Sequence, residues 1–175
     1  MIVFAHGLEG SPTGAKIQAL RAAGLAVDAP DGRGLLLAAR IEGLRQAVMR
    51  QADRAPGERL VLAGSSYGGL AAAWLARELA PRLDGLLLLA PALHHAEPPA
   101  TDPGSLAPPP GLPTVLIHGL RDDVVPIGAS RVYAAAGRTA GNPPTLLEVD
   151  DDHRLAASLD RIVAEARRLL EQPLR

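Results

Sequence analysis

Residues 60–71 constrain the fold of this 175-residue chain more than any other stretch. An apolar run ends at Gly64, the tetrapeptide Ser-Ser-Tyr-Gly follows, and an alanine-rich segment comes next. Such an order predicts a strand over 60–64, a very tight turn, and a helix over 69–80. A chain built around this unit must pack a buried strand beside a helix.

The same alternation runs through the rest of the chain. Strands are predicted at 2–6, 25–29, 60–64, 85–90, 114–118 and 145–149, and helices at 13–23, 36–52, 69–80, 127–136 and 154–171. Several strands are apolar at consecutive positions, which is typical of strands buried on both faces. The sequence therefore predicts an α/β protein, a three-layer α/β/α sandwich with a mostly or fully parallel sheet of about six strands. The length fits a single domain over 1–175.

Residues 92–113 break this alternation. They hold seven of the sixteen prolines of the chain. Proline this dense excludes a long helix and favours extended segments. We expect a long loop inside the domain, and loops of this length are usually either functional or mobile.

Composition limits the classes of partner and chemistry. The net charge of −1 gives no general attraction to nucleic acid or to acidic membranes. The absence of cysteine excludes disulfides, thiolate metal ligands and cysteine nucleophiles. No basic, apolar leader opens the sequence, and no apolar run is long enough to span a membrane. The expectation is a cytoplasmic protein that does not bind nucleic acid.

The tight turn carries a candidate nucleophile. Gly64, Ser66 and Gly68 fit the pattern G-x-S-x-G, with Ser66 at the apex of the turn. A serine lifted on so sharp a turn sits in a strained backbone conformation, and glycine neighbours let the strand and helix approach closely around it. The alternative is a glycine- and serine-rich turn without chemistry.

A base and an acid follow later strands. Right-handed crossovers place the carboxyl ends of all strands of a parallel sheet at one edge, so Ser66, Asp122 and His153 should gather there. A serine hydroxyl is a weak nucleophile near neutral pH and needs a base within hydrogen-bond reach. His153 would take the proton, and Asp122 would orient the imidazole. Asp123 remains an alternative acid.

Three local patterns together resemble the α/β-hydrolase superfamily. The order Ser66, Asp122, His153 with G-x-S-x-G at a strand-to-helix turn is the first. Residues 6–12 are similar to the HG-x-x-G-S-P opening of many small bacterial hydrolases. Residues 118–126 look like the H-G-x-x-D-x-V-V-P segment that carries the acid of the family. The resemblance covers essentially the whole chain. It implies a minimal, lidless fold of six strands without the two leading antiparallel ones, in which loop 92–113 replaces the helical cap.

The resemblance also implies an activity. The backbone N–H groups of Leu8 and Tyr67 would form an oxyanion hole, and a small-molecule carboxylic ester would be cleaved through an acyl-enzyme intermediate without a cofactor. A thioesterase or lysophospholipase with the same triad and a peptidase or amidase remain alternatives. So does a non-enzymatic binding protein on the same fold.

The other polar residues near strand ends have simpler interpretations. His6 and His118 are interpreted as orienting their loops. His94 and His95 are adjacent and share no face of a helix or strand, so no metal site is predicted. Arg33 would either be solvent-exposed or meet an anionic substrate group. Residues 150–152 are interpreted as a solvated turn.

Overall fold

Strands and helices alternate along the chain, as the apolar runs predict. The computed structural model describes residues 1–172, so the last three residues of the predicted 1–175 domain lie outside the described residues. The elements are β1 Ile2–Ala5, α1 Ala15–Ala22, β2 Val27–Asp28, α2 Leu37–Arg54, β3 Val61–Ser65, α3 Tyr67–Leu79, β4 Gly85–Leu89, β5 Thr114–Gly119, α4 Ile127–Thr139, β6 Thr145–Val149 and α5 Leu159–Glu171.

The strands form one sheet in the order β2-β1-β3-β4-β5-β6. Every neighbouring pair is parallel, which confirms the predicted sheet. The chain moves from β1 outward to β2 and then returns to place β3 on the other side of β1. Ligand crevices of open α/β sheets lie at such a reversal, beyond the carboxyl ends of the strands. β1 and β3 are paired there through Ala5 and Gly64, so the loops that follow them lie side by side.

Helices cover both faces of the sheet. On one face, α2, α3 and Tyr133 of α4 share a core cluster with Val3 and Ala5 of β1, and on the other, residues of α1 and α5 share a core cluster with Ile2 and Phe4. Successive residues of a strand point to opposite faces. Because both faces are buried, every position of β1 is apolar, and the same holds for most of β3 and β4. This is the physical origin of the consecutive apolar runs in the sequence.

Two elements differ clearly from their predicted bounds. β2 has only two residues where a strand over 25–29 was predicted, because it is an edge strand that pairs with β1 alone and is followed by Pro30, which has no N–H group. The last helix begins at Leu159 rather than at Arg154. Leu155 has φ of 55°, which an α-helix cannot accommodate, and a 3-10 turn over Ala156–Ser158 follows it.

The proline-rich loop 92–113 is anchored to the domain. It contains a single 3-10 turn, Pro103–Ser105, and no longer helix. Five of its apolar side chains are buried: Ala92, Leu93, Ala100, Leu106 and Leu112. The loop therefore forms part of the core wall on the α2 and α3 side of the sheet.

Among the helices within residues 1–172, none is both long enough and apolar enough to span a membrane.

Candidate active site

Ser66 lies at the junction of β3 and α3 in a strained conformation. Its φ of 55° and ψ of −122° fall in a region that residues other than glycine rarely adopt. Backbone hydrogen bonds hold it there. The Ser66 N–H donates to the Leu89 carbonyl at 2.9 Å, and the Ser66 carbonyl accepts from the N–H groups of Gly69, Leu70 and Ala92. The predicted strain at this serine is confirmed.

The two glycines of the motif are required by close backbone contacts. A Cβ on Gly64 would overlap the Gly68 carbonyl oxygen, and a Cβ on Gly68 would overlap the Ala5 carbonyl oxygen. The backbones of β1, β3 and α3 are therefore in direct contact around Ser66, as predicted. Gly7 also belongs to this contact region, since a Cβ there would lie 3.3 Å from the Ser66 Cβ.

The structure brings together the three side chains predicted to form a triad. His153 Nε2 lies 3.1 Å from Ser66 Oγ, and His153 Nδ1 lies 2.8 Å from Asp122 Oδ2. A carboxylate can only accept, so Nδ1 carries the proton and Nε2 is left to accept from the serine hydroxyl. Asp123 is exposed and does not take part in these contacts. The geometry is that of a serine whose proton can be removed.

Asp122 is held as a buried carboxylate. Its side chain is 0% exposed, and its Oδ1 accepts the N–H groups of Val124 at 2.9 Å and Val125 at 2.8 Å. Burial alone would raise the pKa of Asp122, but the N–H groups of Val125 and Val124 and the His153 imidazole together keep that pKa below its ordinary value. The acid is therefore ionised at neutral pH.

His118 is a buried residue that contacts the Asp122 carboxylate. Its Nε2–H donates to the Val125 carbonyl at 3.0 Å and lies 3.1 Å from Asp122 Oδ2, while its Nδ1 accepts from the Ser130 hydroxyl at 2.8 Å. Burial lowers the pKa of His118, so the ring is neutral in this environment. These contacts fix the loop after β5, in agreement with the predicted loop-orienting role.

His6 has the corresponding role after β1. Its Nδ1–H donates to the Gly7 carbonyl at 2.8 Å, and its Nε2 accepts the Gly32 N–H at 3.0 Å. One donor and one acceptor define a neutral ring with the proton on Nδ1. His6 thereby joins the loop after β1 to the loop after β2, as its predicted role requires.

The predicted oxyanion donors are the N–H groups of Leu8 and Tyr67. Tyr67 is the first residue of α3, and the first amides of a helix have no acceptor within the helix. Within residues 1–172, neither the Tyr67 nor the Leu8 amide donates to another group. Tyr67 directly follows Ser66, and Leu8 directly follows Gly7, which lies against Ser66. The two amides therefore lie near the site with their hydrogen-bonding capacity unused.

Three side chains next to the site were missed by the sequence analysis. The Tyr67 hydroxyl donates to Glu97 Oε2 at 2.6 Å, and Glu97 Oε1 accepts the Leu37 N–H at 2.9 Å. Burial, reinforced by Glu97, raises the pKa of Tyr67 to about 12. The guanidinium of Arg40 lies 4.9 Å from the centre of the Tyr67 ring. A signal existed for Arg40, because it interrupts the apolar face that Leu37 and its helical neighbours form. No local pattern marks Glu97.

The acidic turn after β6 requires a correction. Asp151 is buried and accepts from the Ser158 hydroxyl at 2.8 Å and from the Asp152 N–H at 2.8 Å, so the interpretation of 150–152 as a solvated turn is wrong for this residue. The turn also lies against the end of β5, where Gly119 packs directly against the Asp151 carbonyl. Asp150 is exposed and pairs with Arg121.

The remaining candidates lie at the surface. Arg33 is exposed and pairs with Asp31, their nitrogen and oxygen lying 2.6 Å apart. His95 Nε2 lies 3.2 Å from Glu97 Oε2. Within the described part of the chain, no three His, Cys, Asp or Glu side chains cluster as a metal site would need.

Solved structures define the class of fold. Est1E from Butyrivibrio proteoclasticus aligns with a TM-score of 0.74 and 19% identity over 98% of this chain and 88% of that chain. A monoacylglycerol lipase from Paleococcus ferrophilus aligns with a TM-score of 0.71 and 17% identity over 97% of this chain and 93% of that chain. An alpha-beta serine hydrolase homologue from Coxiella burnetii aligns with a TM-score of 0.70 and 18% identity over 97% of this chain and 83% of that chain. The chain therefore has the α/β-hydrolase fold, as the three sequence patterns predicted.

A protein-family model matches the first 101 residues of the chain. The chain belongs to UPF0227, an uncharacterised protein family whose model matches residues 1–101. This range includes Ser66 and ends before Asp122 and His153. No curated protein matches the chain.

Proposed function

We propose that the chain is a serine hydrolase that cleaves a carboxylic ester through an acyl-enzyme intermediate on Ser66. The observation that carries the proposal is the line of hydrogen bonds from Ser66 Oγ through His153 to the buried Asp122. A buried carboxylate bonded to an imidazole that reaches a serine hydroxyl is the arrangement that activates serine for acyl transfer. A turn with only a structural role would need neither the strain at Ser66 nor the buried acid.

The geometry suggests the order of events. Ser66 Oγ attacks the ester carbonyl carbon while its proton passes to His153 Nε2, and Asp122 stabilises the resulting imidazolium. The negative charge on the former carbonyl oxygen is stabilised by the N–H groups of Leu8 and Tyr67. His153 then returns the proton to the leaving alcohol. Water repeats the sequence against the acyl-enzyme and releases the acid.

The rim of the site favours small or extended acyl esters. Between β4 and β5, where a cap would be inserted, the chain forms only loop 92–113 with its one 3-10 turn. Side chains at the rim are open to solvent, Leu8 at 62% exposure and Val124 at 61%. The name of the Paleococcus ferrophilus neighbour, a monoacylglycerol lipase, supports an ester as the substrate class.

A fluorophosphonate probe tests the nucleophile. The wild-type chain should be labelled covalently, and Ser66→Ala should not. Ser65→Ala is the matched control, because Ser65 is the adjacent serine and is buried in β3; it should label like the wild type. A wild-type chain that resists labelling would exclude an activated serine and favour the non-enzymatic binding protein.

A substrate series separates the ester from its alternatives. We expect p-nitrophenyl acetate and butyrate to be cleaved faster than the decanoate, and faster than the corresponding thioesters. A strong preference for the decanoate would contradict the open site. Faster cleavage of thioesters would assign the triad to a thioesterase.

A further inference from the structure

Arg40 is a charged residue of α2 that faces the interior. It is only 5% exposed, and its Nη1 donates to the His6 carbonyl at 2.9 Å while its Nε donates to the Leu35 carbonyl at 3.1 Å. No carboxylate within residues 1–172 forms a salt bridge with it. Burying a guanidinium without a carboxylate partner costs stability.

One of its contacts is the peptide between Gly7 and Leu8. The Gly7 carbonyl accepts from His6 Nδ1 at 2.8 Å and from the Gly10 N–H at 3.1 Å, and it has a longer contact with Arg40 Nη1 at 3.4 Å. In a trans peptide the carbonyl and the N–H point in opposite directions. Three donors on the carbonyl side therefore fix the direction of the Leu8 N–H.

The other contact is the ring of Tyr67. The Arg40 Cζ lies 4.9 Å from the ring centre, within the range of a cation–π interaction. The far end of the ring is held by Glu97, which accepts from the hydroxyl at 2.6 Å. The side chain of Tyr67 is thus held at its ring face and at its hydroxyl, and its backbone N–H is the second predicted oxyanion donor. Arg40 therefore contacts the peptide that carries the Leu8 N–H and the side chain of the residue that carries the Tyr67 N–H.

We propose that Arg40 is a positioning residue that holds the N–H groups of Leu8 and Tyr67 in the orientation needed to bind an oxyanion. The inference rests on the proposed function. Arg40 acts through the two peptides and does not touch the substrate. Its loss should therefore weaken stabilisation of the transition state and leave binding of the ground-state ester nearly unchanged.

The first test is steady-state hydrolysis of p-nitrophenyl butyrate. Arg40→Met should lower kcat by roughly 10- to 100-fold, the scale of loss caused by misplacing a catalytic group by about 1 Å, with KM changed less than about threefold. Arg40→Lys should lie between this variant and the wild type, because lysine keeps the charge but presents one nitrogen without a planar fork. Arg50→Met, on the same helix but at its exposed surface, should match the wild type.

An alkyl trifluoromethyl ketone gives a readout that a merely structural role would not move. Ser66 Oγ adds to its carbonyl carbon, the serine proton passes to His153, and the carbonyl oxygen becomes an anion in the proposed hole. The inhibition constant for Arg40→Met should rise by about the factor by which kcat/KM falls. A folded Arg40→Met variant with kcat within threefold of the wild type would overturn the inference. So would a loss confined to KM with an unchanged inhibition constant.

Two more conservative variants test the positioning role if Arg40→Met does not fold. One is Arg40→Lys. The other is Gly32→Ala, whose Cβ would lie 3.2 Å from Arg40 Cγ and would shift that side chain without removing it. Lower kcat with a parallel rise in the inhibition constant supports positioning, and wild-type values in both variants overturn it. Fluorophosphonate labelling of the wild type separates the two proposals: without labelling both fall, whereas equal labelling rates in all Arg40 variants defeat the positioning role alone.

Discussion

Asp122 and Asp123 are neighbours with the same charge, yet only Asp122 reaches His153. Its carboxylate is buried, accepts two backbone N–H groups and lies 2.8 Å from His153 Nδ1, whereas Asp123 is exposed. At the scale of single residues, the proposed triad depends on which of these two carboxylates the loop turns inward. The sequence could name the pair, but the inward turn is set by the N–H groups of Val124 and Val125.

This contrast gives a matched pair of variants. Asp122→Asn should lower kcat/KM for p-nitrophenyl butyrate by about 10³- to 10⁴-fold, because the amide cannot hold the required His153 tautomer. Asp123→Asn should stay within about twofold of the wild type. Equal losses in both variants, measured on folded protein, would show that the acid has been misassigned.

In contrast to the Asp122 carboxylate, the Tyr133 hydroxyl is a buried polar group without a hydrogen-bond partner in the described part of the chain. Burial raises the pKa of this hydroxyl. An unpaired buried hydroxyl destabilises the folded state, so Tyr133→Phe should raise the free energy of unfolding by about 1 kcal/mol. Urea unfolding measures this. A decrease of similar size would indicate that the hydroxyl is hydrogen-bonded after all.

At the scale of elements, the Glu97 carboxylate connects loop 92–113 to the first residues of two helices. Glu97 accepts the Leu37 N–H at the start of α2 and the hydroxyl of Tyr67 at the start of α3. Negative charge is favourable at a helix N-terminus. The Tyr67 hydrogen bond, together with the Leu37 N–H, lowers the pKa of Glu97 from its ordinary value. The loop is therefore expected to loosen when this carboxylate is protonated.

The sign of the pH dependence follows from that shift. A carboxylate with a lowered pKa in the folded state stabilises the fold above its ordinary pKa, near 4.3, and this contribution is lost as the pH falls through the lowered value. At pH 7, the free energy of unfolding of Glu97→Gln should be about 1 kcal/mol lower than that of the wild type. The difference should shrink as the pH falls below about 4.3. A constant difference down to pH 3 in thermal unfolding would contradict this account.

At the scale of the whole molecule, one sheet joins all parts of the site. Ser66 follows β3, Asp122 follows β5 and His153 follows β6, so three loops at one edge carry the three residues of the proposed triad. We expect the chain to unfold as a single domain. Trp74, the only tryptophan, is half-buried on α3 against the core, and its fluorescence should change at the same denaturant concentration as far-ultraviolet circular dichroism. Separated transitions would indicate two independently stable parts.

The sequence predicted the elements well where burial pattern decided them. β1, β3 and β4 lie between two helical layers and must be apolar at nearly every position, so their runs were unmistakable. β2 and the start of the last helix were misplaced because other forces set them: β2 has a single partner strand, and Leu155 is held at positive φ by the turn around the buried Asp151. Pro30 marks the end of β2 locally, but neither the single partner strand nor the turn around Asp151 can be read from neighbouring residues.

By itself, the sequence determined the alternation of strands and helices, the glycine-flanked serine turn, and the edge of the sheet at which residues 66, 122 and 153 would meet. These follow from burial periodicity and backbone sterics, which are properties of neighbouring residues. Only the tertiary structure decided that Arg40, Tyr67 and Glu97 form one contact group behind that edge. Their hydrogen bonds join residues 30 and 60 positions apart, and such contacts depend on how loops and helices pack, which no local pattern encodes.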